Sequence, residues 1–423
     1  MSRPRAVVVL TGSEVVRGDI VDRNGSFLAR ELVSLGLEPA QLVIVGDAPD
    51  ELRPALEQAL KADLCVTSGG LGPTHDDRTV ELVAAAAGRR LLVDDGLRAE
   101  IEAVSRRIAE RLRRPYADFE AGVVKQAQRP EGALVVGIAG TAPALVLEHD
   151  GAVIVVLPGP PGELRRLWPL ALGTEPMRRL LARARPPERR VLRFFGASES
   201  AVARALADAG GEREGVEVTI CLRDFEIHVD LVAEPGASAY AAELERALTE
   251  PLERFLFARD ERPVEEIVLD LCREQGLSLA AAESCTGGMV AARLTGIAGS
   301  SDVFLGGVVA YSDELKRSQL GIPAAVLDQH GAVSAETAEW MAEGARRALG
   351  ADVAVAVTGI AGPGGATPGK PVGLVFVHAA GPDGDAALQL DLPGDRADVR
   401  SRATVVALHL VRRLLSQGRR ERG

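Results

Sequence analysis

The sequence predicts an α/β protein built from two three-layer α/β domains joined by a small α+β module. Three observations predict it. Short apolar runs alternate with helical periodicity from residue 5 to 170, and the alternation resumes from 263. Between the two lies an Arg- and Pro-rich connection followed by paired strand patterns. A chain of 423 residues also exceeds what one core ordinarily holds. The expected boundaries are 1–172, 173–262 and 263–423.

In the first segment, residues 7–10, 42–45, 64–67, 134–136 and 153–157 read as strands, and 24–35, 50–61 and 98–112 as helices. That alternation predicts a parallel sheet covered on both faces, with ligands at the carboxyl ends of its strands. Three loops fall at such ends: Thr11-Gly-Ser-Glu14, Ser68-Gly-Gly-Leu-Gly-Pro-Thr-His-Asp-Asp77 and Pro158-Gly-Pro-Pro-Gly162. In the second segment a strand over 191–195, a helix over 198–209, a hairpin over 216–222 and 225–232, and a helix over 238–255 make the α+β module. Its glycine turn at 210–215 has no G-x-x-G clamp, so no RNA-binding role follows from it. The third segment reads helix 264–275, strand 277–281, helix 286–294, strand 304–311, strand 352–357, a hairpin over 372–379 and 386–392, and a closing helix 396–415.

Composition narrows the function classes. A net charge of −11 and an aromatic content of 3% argue against a nucleic-acid surface or a base-stacking platform. The Arg-rich stretches 178–193 and 412–422 read as a solvated helix-and-linker and a basic tail. No apolar run has bilayer-spanning length, and Met1-Ser-Arg-Pro-Arg leads into a run too short for a signal peptide, so a cytoplasmic protein is expected. Cys65, Cys221, Cys272 and Cys285 are scattered without a C-x-x-C pair, which argues against a disulfide framework or structural zinc.

Lysine usage singles out one position. Of 49 basic side chains only Lys61, Lys125, Lys316 and Lys370 are lysines; the other 45 are arginines. Arginine does not lose its proton in a protein, whereas a desolvated lysine does and then serves as a general base. Upstream of Lys316 lies Ala282-Glu-Ser-Cys-Thr-Gly-Gly288, where a serine enters a glycine-rich turn between strand and helix. With Tyr311 and Lys316, Ser284 supplies the parts of a Ser–Lys acyl-transfer site. The amides of Cys285, Thr286, Gly287 and Gly288 are candidate donors to an anion or a developing oxyanion. Two plainer readings stand beside this one: Lys316 as a solvated helix residue, and Ser284 as a helix N-cap. Cys285 is a rival nucleophile or a packed thiol. The loop Thr358-Gly-Ile-Ala-Gly-Pro-Gly-Gly365 offers backbone groups and the Thr358 hydroxyl to a pocket.

These residues resemble a known family. Ala282 to Gly288, 306–316, His330-Gly-Ala-Val-Ser334 and 357–365 are similar to the C-terminal domain of the competence/damage-inducible CinA family, the nicotinamide-nucleotide amidohydrolases. The resemblance implies hydrolysis of the carboxamide of nicotinamide mononucleotide (NMN) to nicotinate mononucleotide and ammonia. It assigns Ser284 as nucleophile, Lys316 as base, Tyr311 as assisting residue and Thr358 as pocket residue, with no cofactor. Gly306, Gly307 and Gly359 join the loop amides as candidate substrate contacts, and Arg396 and Arg400 are candidate phosphate partners.

In the first segment, the turn Gly69-Gly70-Leu-Gly72 with Thr74, Asp76 and Asp77 combines a phosphate-sized cradle with paired carboxylates, and Glu14 and Asp19 add more. That pattern suggests divalent-metal chemistry on a phosphoanhydride, with Asp76 and Asp77 as ligands. The plainer reading is an Asx turn and helix cap. The segment resembles the N-terminal domain of the same family, related to molybdopterin-binding domains, through Gly12-Ser-Glu14, Gly46-Asp47, 68–79, Lys125-Gln126, Gly140-Thr-Ala-Pro143 and Leu157-Pro-Gly-Pro-Pro-Gly-Glu163. The resemblance implies pterin or nucleotide binding and, in some members, a metal-dependent ADP-ribose pyrophosphatase. It also covers the middle module, KH-like in kind. Ser13, Asp22, Gly137 and Ala144 depart from the family's common Thr, Asn, Asn and Gly, the last two bearing on substrate binding. The expectation is a homo-oligomer acting on pyridine nucleotides (NMN, ADP-ribose) with no nucleic-acid or membrane partner. The alternative is a non-catalytic molybdopterin- or nucleotide-binding scaffold.

Overall fold

A computed structural model describes the backbone of residues 3–422 and the side chains up to Gln417; Met1, Ser2 and Gly423, and the side chains at 418–422 within the expected basic tail, lie outside the described residues. The chain divides into two compact units, Met1–Glu188 and Arg189–Gly423.

In the first unit, strands β1 (Arg5–Thr11), β2 (Glu38–Val45), β3 (Leu64–Ser68), β6 (Leu134–Ala139), β7 (Ala142–His149) and β8 (Ala152–Leu157) form one sheet in the order β2-β1-β3-β8-β7-β6. A separate two-stranded ribbon pairs β4 (Leu91–Val93) with β5 (Gln128–Pro130). Side-chain alternation along β1 builds the layers. Ala6, Val8 and Leu10 pack into one core with the helices Asn24–Ser34 and Pro161–Leu172, while Val7 and Val9 enter another with Pro49–Ala59 and Thr79–Ala86. Both faces are therefore covered, as the sequence predicts.

The sheet is mixed rather than wholly parallel. β2, β1, β3 and β8 run parallel, but β7 and β6 pair antiparallel. Gly140, with φ 64, turns the chain straight from β6 into β7, so a hairpin adds a strand at 142–149 that the sequence reading does not include. Gly137 faces Ala144 across that hairpin, and Ala144 is fully buried in the core. The two departures from the family pattern are thus cross-strand neighbours in the packing, not cleft residues.

The second unit opens with β9 (Glu188–Phe194), β10 (Val216–Arg223), β11 (Glu226–Ala233) and β12 (Leu256–Ala258), ordered β10-β11-β9-β12, with helices Glu199–Asp208 and Ser238–Leu252. The Arg-rich stretch is not solvated linker here. Arg189 and Arg193 pair with Asp230, Arg190 pairs with Glu245, and Arg193 is 6% exposed. The larger sheet orders β13 (Leu279–Glu283), β14 (Phe304–Val309), β15 (Val353–Gly359), β16 (Leu374–Gly381) and β17 (Gly384–Asp391) as β14-β13-β15-β16-β17. Ala281 points into the core shared with helices Val264–Gln275 and Arg396–Arg422; Ala280 and Ala282 point to the core under Ala335–Leu349. Among the described residues, no helix is long and apolar enough to cross a membrane.

Candidate functional site

In the second unit, three strand ends converge on Ser284. The serine follows β13 directly, its N–H donates to Val357 O at 2.9 Å, and it is 8% exposed. Gly287 and Gly288, at φ 62 and 97, turn the chain into the helix Met289–Thr295. Glu283 holds that turn. Its buried carboxylate accepts from the amides of Gly288 (2.9 Å), Val290 (3.1 Å) and Ala291 (2.9 Å), filling the positive end of the helix. Ser284 is accordingly not the cap of this helix.

This arrangement narrows the set of anion donors. The Gly288 amide belongs to Glu283, and the Gly287 amide donates to Ser284 O at 3.1 Å. The amides of Cys285 and Thr286 have no carbonyl or carboxylate acceptor among the described residues; both face the weakly accepting Cys285 sulfur. The Thr286 hydroxyl is likewise buried without a partner. Burial pushes the Cys285 thiol up to about 11, so it is a packed, protonated sulfur at neutral pH.

Lys316 lies on the helix Asp313–Leu320, capped by Ser312, whose hydroxyl accepts from Leu315 N–H. The helix turns its amine inward: Lys316 is 1% exposed, with Nζ 3.3 Å from Ser284 Oγ and 3.0 Å from Ala310 O. Burial lowers its pKa below the usual 10.5, and this outweighs the opposing pull of Asp313, whose carboxylate is 3.8 Å away on an exposed side chain. An amine driven toward its neutral form beside a hydroxyl is the arrangement a general base requires.

The other expected residues divide. The Thr358 hydroxyl donates to Ala332 O at 2.6 Å and is fully buried, tying β15 to the neighbouring loop. Tyr311 is 60% exposed, and its hydroxyl accepts from Arg396 at 3.0 Å rather than meeting Ser284. Arg396 also donates to Gly362 O, and Arg400 donates to Cys285 O and Thr286 O at 3.0 and 2.9 Å, bracing the Ser284 turn from below. Both arginines line an open cleft with Ala361, Gly362, Pro363 and Val372. Ser284, Lys316, Tyr311 and Thr358 are not among its lining residues; Arg400 joins it to the Ser284 turn, and Arg396 joins it to Tyr311. Gly306 and Gly307 fall outside it too. They lie within β14, opposite Ala280 and Ala281, where a side chain at Gly307 would crowd Ala281 O. Gly359 pairs with Val375, and its missing Cβ lets β16 approach closely.

The first unit has its own cleft, of about 350 Å³, between the ends of β1, β3 and β8. Gly69 and Gly70 adopt φ 109 and 64, and a Cβ on either would stand 2.2 Å from Thr11 O or Thr79 Oγ1. Glu14, Asp76 and Asp77 line it as expected, joined by Asp47 and Glu163. Asp47 accepts from the Thr11 hydroxyl and from the amide and hydroxyl of Ser13, each at 2.8 Å. Burial raises the Glu163 pKa, against the pull of Arg166. Asp77 closes the glycine turn by reaching back three residues to accept from the amide and hydroxyl of Thr74, the reverse of an Asx turn, and Lys125 fastens Thr74 O. Asp19 instead pairs with Arg17. Among the described residues no three acidic, His or Cys side chains converge on one point. A divalent ion here would be held by one or two of these carboxylates, with the rest of its ligands coming from substrate or water rather than from a preformed protein cage.

Glu283, Asp47 and Glu163 lie within motifs visible in the sequence but carry no signal of their own, and Lys370 is marked there only by the scarcity of lysine. Their roles depend on which backbone groups the turns bring to them.

Comparison with known proteins agrees with both halves. The pattern described as the CinA C-terminal domain matches residues 261–415, and that of a probable molybdopterin binding domain matches 7–176. A CinA-like protein of Mycobacterium sp. (strain MCS) is 44% identical over 423 residues, covering 98% of this chain and 99% of its own length. A CinA-like protein of Mycobacterium tuberculosis (strain ATCC 25618 / H37Rv) is 43% identical over 426 residues, covering 97% of each. Among solved structures, a competence/damage inducible protein from Agrobacterium tumefaciens is 38% identical, covers 38% of this chain and 99% of its own, and has a TM-score of 0.35. On end-to-end similarity at this level, the chain belongs to the family of CinA-like proteins.

Proposed function

We propose that the second unit hydrolyses the carboxamide of NMN, giving nicotinate mononucleotide and ammonia. The observation that carries this reading is the buried Lys316 amine 3.3 Å from Ser284 Oγ. Lys316 takes the hydroxyl proton as Ser284 Oγ bonds to the carboxamide carbon. The oxyanion forms toward the amides of Cys285 and Thr286, which exchange the weak acceptor Cys285 Sγ for it. Lys316 then returns its proton to the departing nitrogen, releasing ammonia and leaving an acyl ester on Ser284. Water, losing its proton to Lys316, adds to that ester; Lys316 passes the proton to Ser284 Oγ as the C–O bond breaks, freeing nicotinate mononucleotide and restoring the hydroxyl. Tyr311, held by Arg396, serves at the cleft rim in this scheme, and the guanidinium groups of Arg396 and Arg400 favour an anionic substrate. Purified protein should release ammonia from NMN, and Ser284→Ala should abolish it. Release by Ser284→Ala at the wild-type rate would sink the reading.

For the first unit, the glycine cradle with five carboxylates supports binding of a phosphate-bearing nucleotide or pterin, and metal-dependent hydrolysis of ADP-ribose is the activity we propose. A divalent ion, when bound, would neutralise phosphate charge and acidify water. Gly69 and Gly70 hold the left-handed turn of the cradle that the phosphates would enter, and Asp76 and Asp77 would hold the ion. ADP-ribose bound but never cleaved, with any divalent ion, would assign this cleft to binding alone.

A further inference from the structure

Four consecutive backbone carbonyls, at residues 330–333, are each held by a side chain. Lys370 Nζ donates to His330 O at 2.6 Å and to Val333 O at 2.7 Å. Gly331 O accepts from Thr337 Oγ1 at 2.7 Å and from Ser334 Oγ at 3.3 Å. Ala332 O accepts from Thr358 Oγ1 at 2.6 Å. The run follows the helix Ala324–His330 and turns at Gly331 with φ 75, so its carbonyls point away from helical donors. A side chain at Gly331 would put its Cβ 3.1 Å from Lys370 Nζ.

Lys370 comes from the other side of the site. It closes the loop that begins after β15, where its backbone pairs with that of Thr367 in both directions, and Ala361, Gly362, Pro363 and Val372 of the same stretch wall the cleft. One ammonium group thus joins the cleft wall to the carbonyl run, and Thr358 joins the run to β15. An ammonium suits the place better than a guanidinium, because a compact three-donor charge fits between two carbonyls where a planar fork does not. Ser284 and Lys316 are anchored separately, through Val357 O and Ala310 O.

We propose that Lys370 is a positioning residue that sets the shape of the substrate cleft without touching the reacting atoms. The proposal rests on the amidase reading of that cleft. Loss of Lys370 should therefore weaken substrate binding and leave the Ser284–Lys316 pair intact.

The test uses the full chain as wild type, Lys370→Met, Lys370→Arg and Lys370→Ala. For ammonia release from NMN, Lys370→Met and Lys370→Arg should raise KM at least tenfold with kcat within threefold of wild type. Added ethylammonium should recover part of the KM loss in Lys370→Ala. Hydrogen exchange should quicken at least tenfold in 328–338 and 359–373 of Lys370→Met, with 279–292 unchanged. An unchanged KM, a kcat that falls as much as KM rises, or unaltered exchange in the two loops each overturns the proposal. If wild type releases no ammonia, the amidase reading falls on its own, and the exchange experiment still decides whether Lys370 holds the cleft wall. Should Lys370→Met fail to fold, the same two measurements on Lys370→Arg decide.

Discussion

Lys316 Nζ stands 3.3 Å from Ser284 Oγ, with the lysine 1% exposed and its pKa lowered by burial. Folding lowers this pKa, so the unfolded chain binds more protons between the lowered value and 10.5, and the buried amine costs stability at every pH below 10.5, neutral pH included. Lys316→Met should then melt at or above the wild-type temperature while losing ammonia release by about 1,000-fold or more, within the range general-base removal covers. Lys316→Arg should lose activity equally. In wild type, kcat/KM should rise with pH as Lys316 deprotonates. Thermal scans with an ammonia assay across pH check all three outcomes.

Glu283 is the second place to probe, because one carboxylate accepts three amides. Removing it leaves those donors buried and unpaired, at a cost of about 3 kcal/mol. Glu283→Ala should show that loss in urea unfolding and should abolish ammonia release, since the turn carrying Ser284 loses its clamp. A variant as stable and active as wild type would mean that the helix end finds other acceptors.

The pair His409 and Glu226 predicts a pH dependence of stability. His409 is fully buried, with Nε2 2.7 Å from Glu226 Oε1 and Nδ1 accepting from Arg412 Nε at 3.3 Å, which fixes a neutral tautomer from both sides. Burial lowers its pKa to about 4, against the pull of Glu226. Glu226 is held at about 2: burial raises it, but the hydrogen bonds of His228 and His409 prevail. A histidine depressed from 6.5 to about 4 contributes fully above 6.5 and loses that contribution as pH falls toward 4. Glu226 adds a loss in the same direction, beginning below 4.5. Unfolding free energy should therefore fall between pH 6.5 and 4, and His409→Phe should flatten the slope. An equal slope in that variant would place the sensitivity elsewhere.

Chelation separates the two clefts. EDTA should abolish ADP-ribose hydrolysis and leave ammonia release from NMN unchanged, because Ser284 and Lys316 make a base and a nucleophile without a Lewis acid. Asp77→Ala should give the same pattern without chelator. Loss of both reactions, or of neither, contradicts the division of chemistry.

The sequence made the strand ends legible, because buried parallel strands are short apolar runs and their loops are rich in glycine. Ser284 and Lys316 were visible for that reason, and because lysine is scarce. β7 is missing from the sequence reading: Pro143, disfavoured in strands, stands near its start, and only the pairing with β6 and β8 shows it as a strand. The helix Ala335–Leu349 was passed over between two motifs, although it covers one face of β13 and β15. The place of Tyr311 was not legible either: its sequence neighbours do not show that Arg396, 85 positions later, would take its hydroxyl. Glu283 and Lys370 share that difficulty, since their partners are main-chain groups and a carbonyl has no one-letter code.

The helix Arg396–Arg422 has a consequence for where the chain can be cut. It begins at the cleft with Arg396 and Arg400 and, about 14 Å further along its axis, carries His409. There the imidazole stacks on Phe195 at 3.8 Å and meets Phe257 edge-on at 4.7 Å. Both aromatics and Glu226 precede residue 262, so a fragment spanning 262–423 keeps every proposed catalytic side chain yet exposes the far end of the rod on which two of its arginines ride. Such a fragment should melt below one spanning 189–423. The cut that respects the molecule falls before β9, and a protease sampling the native protein should find its durable C-terminal product there.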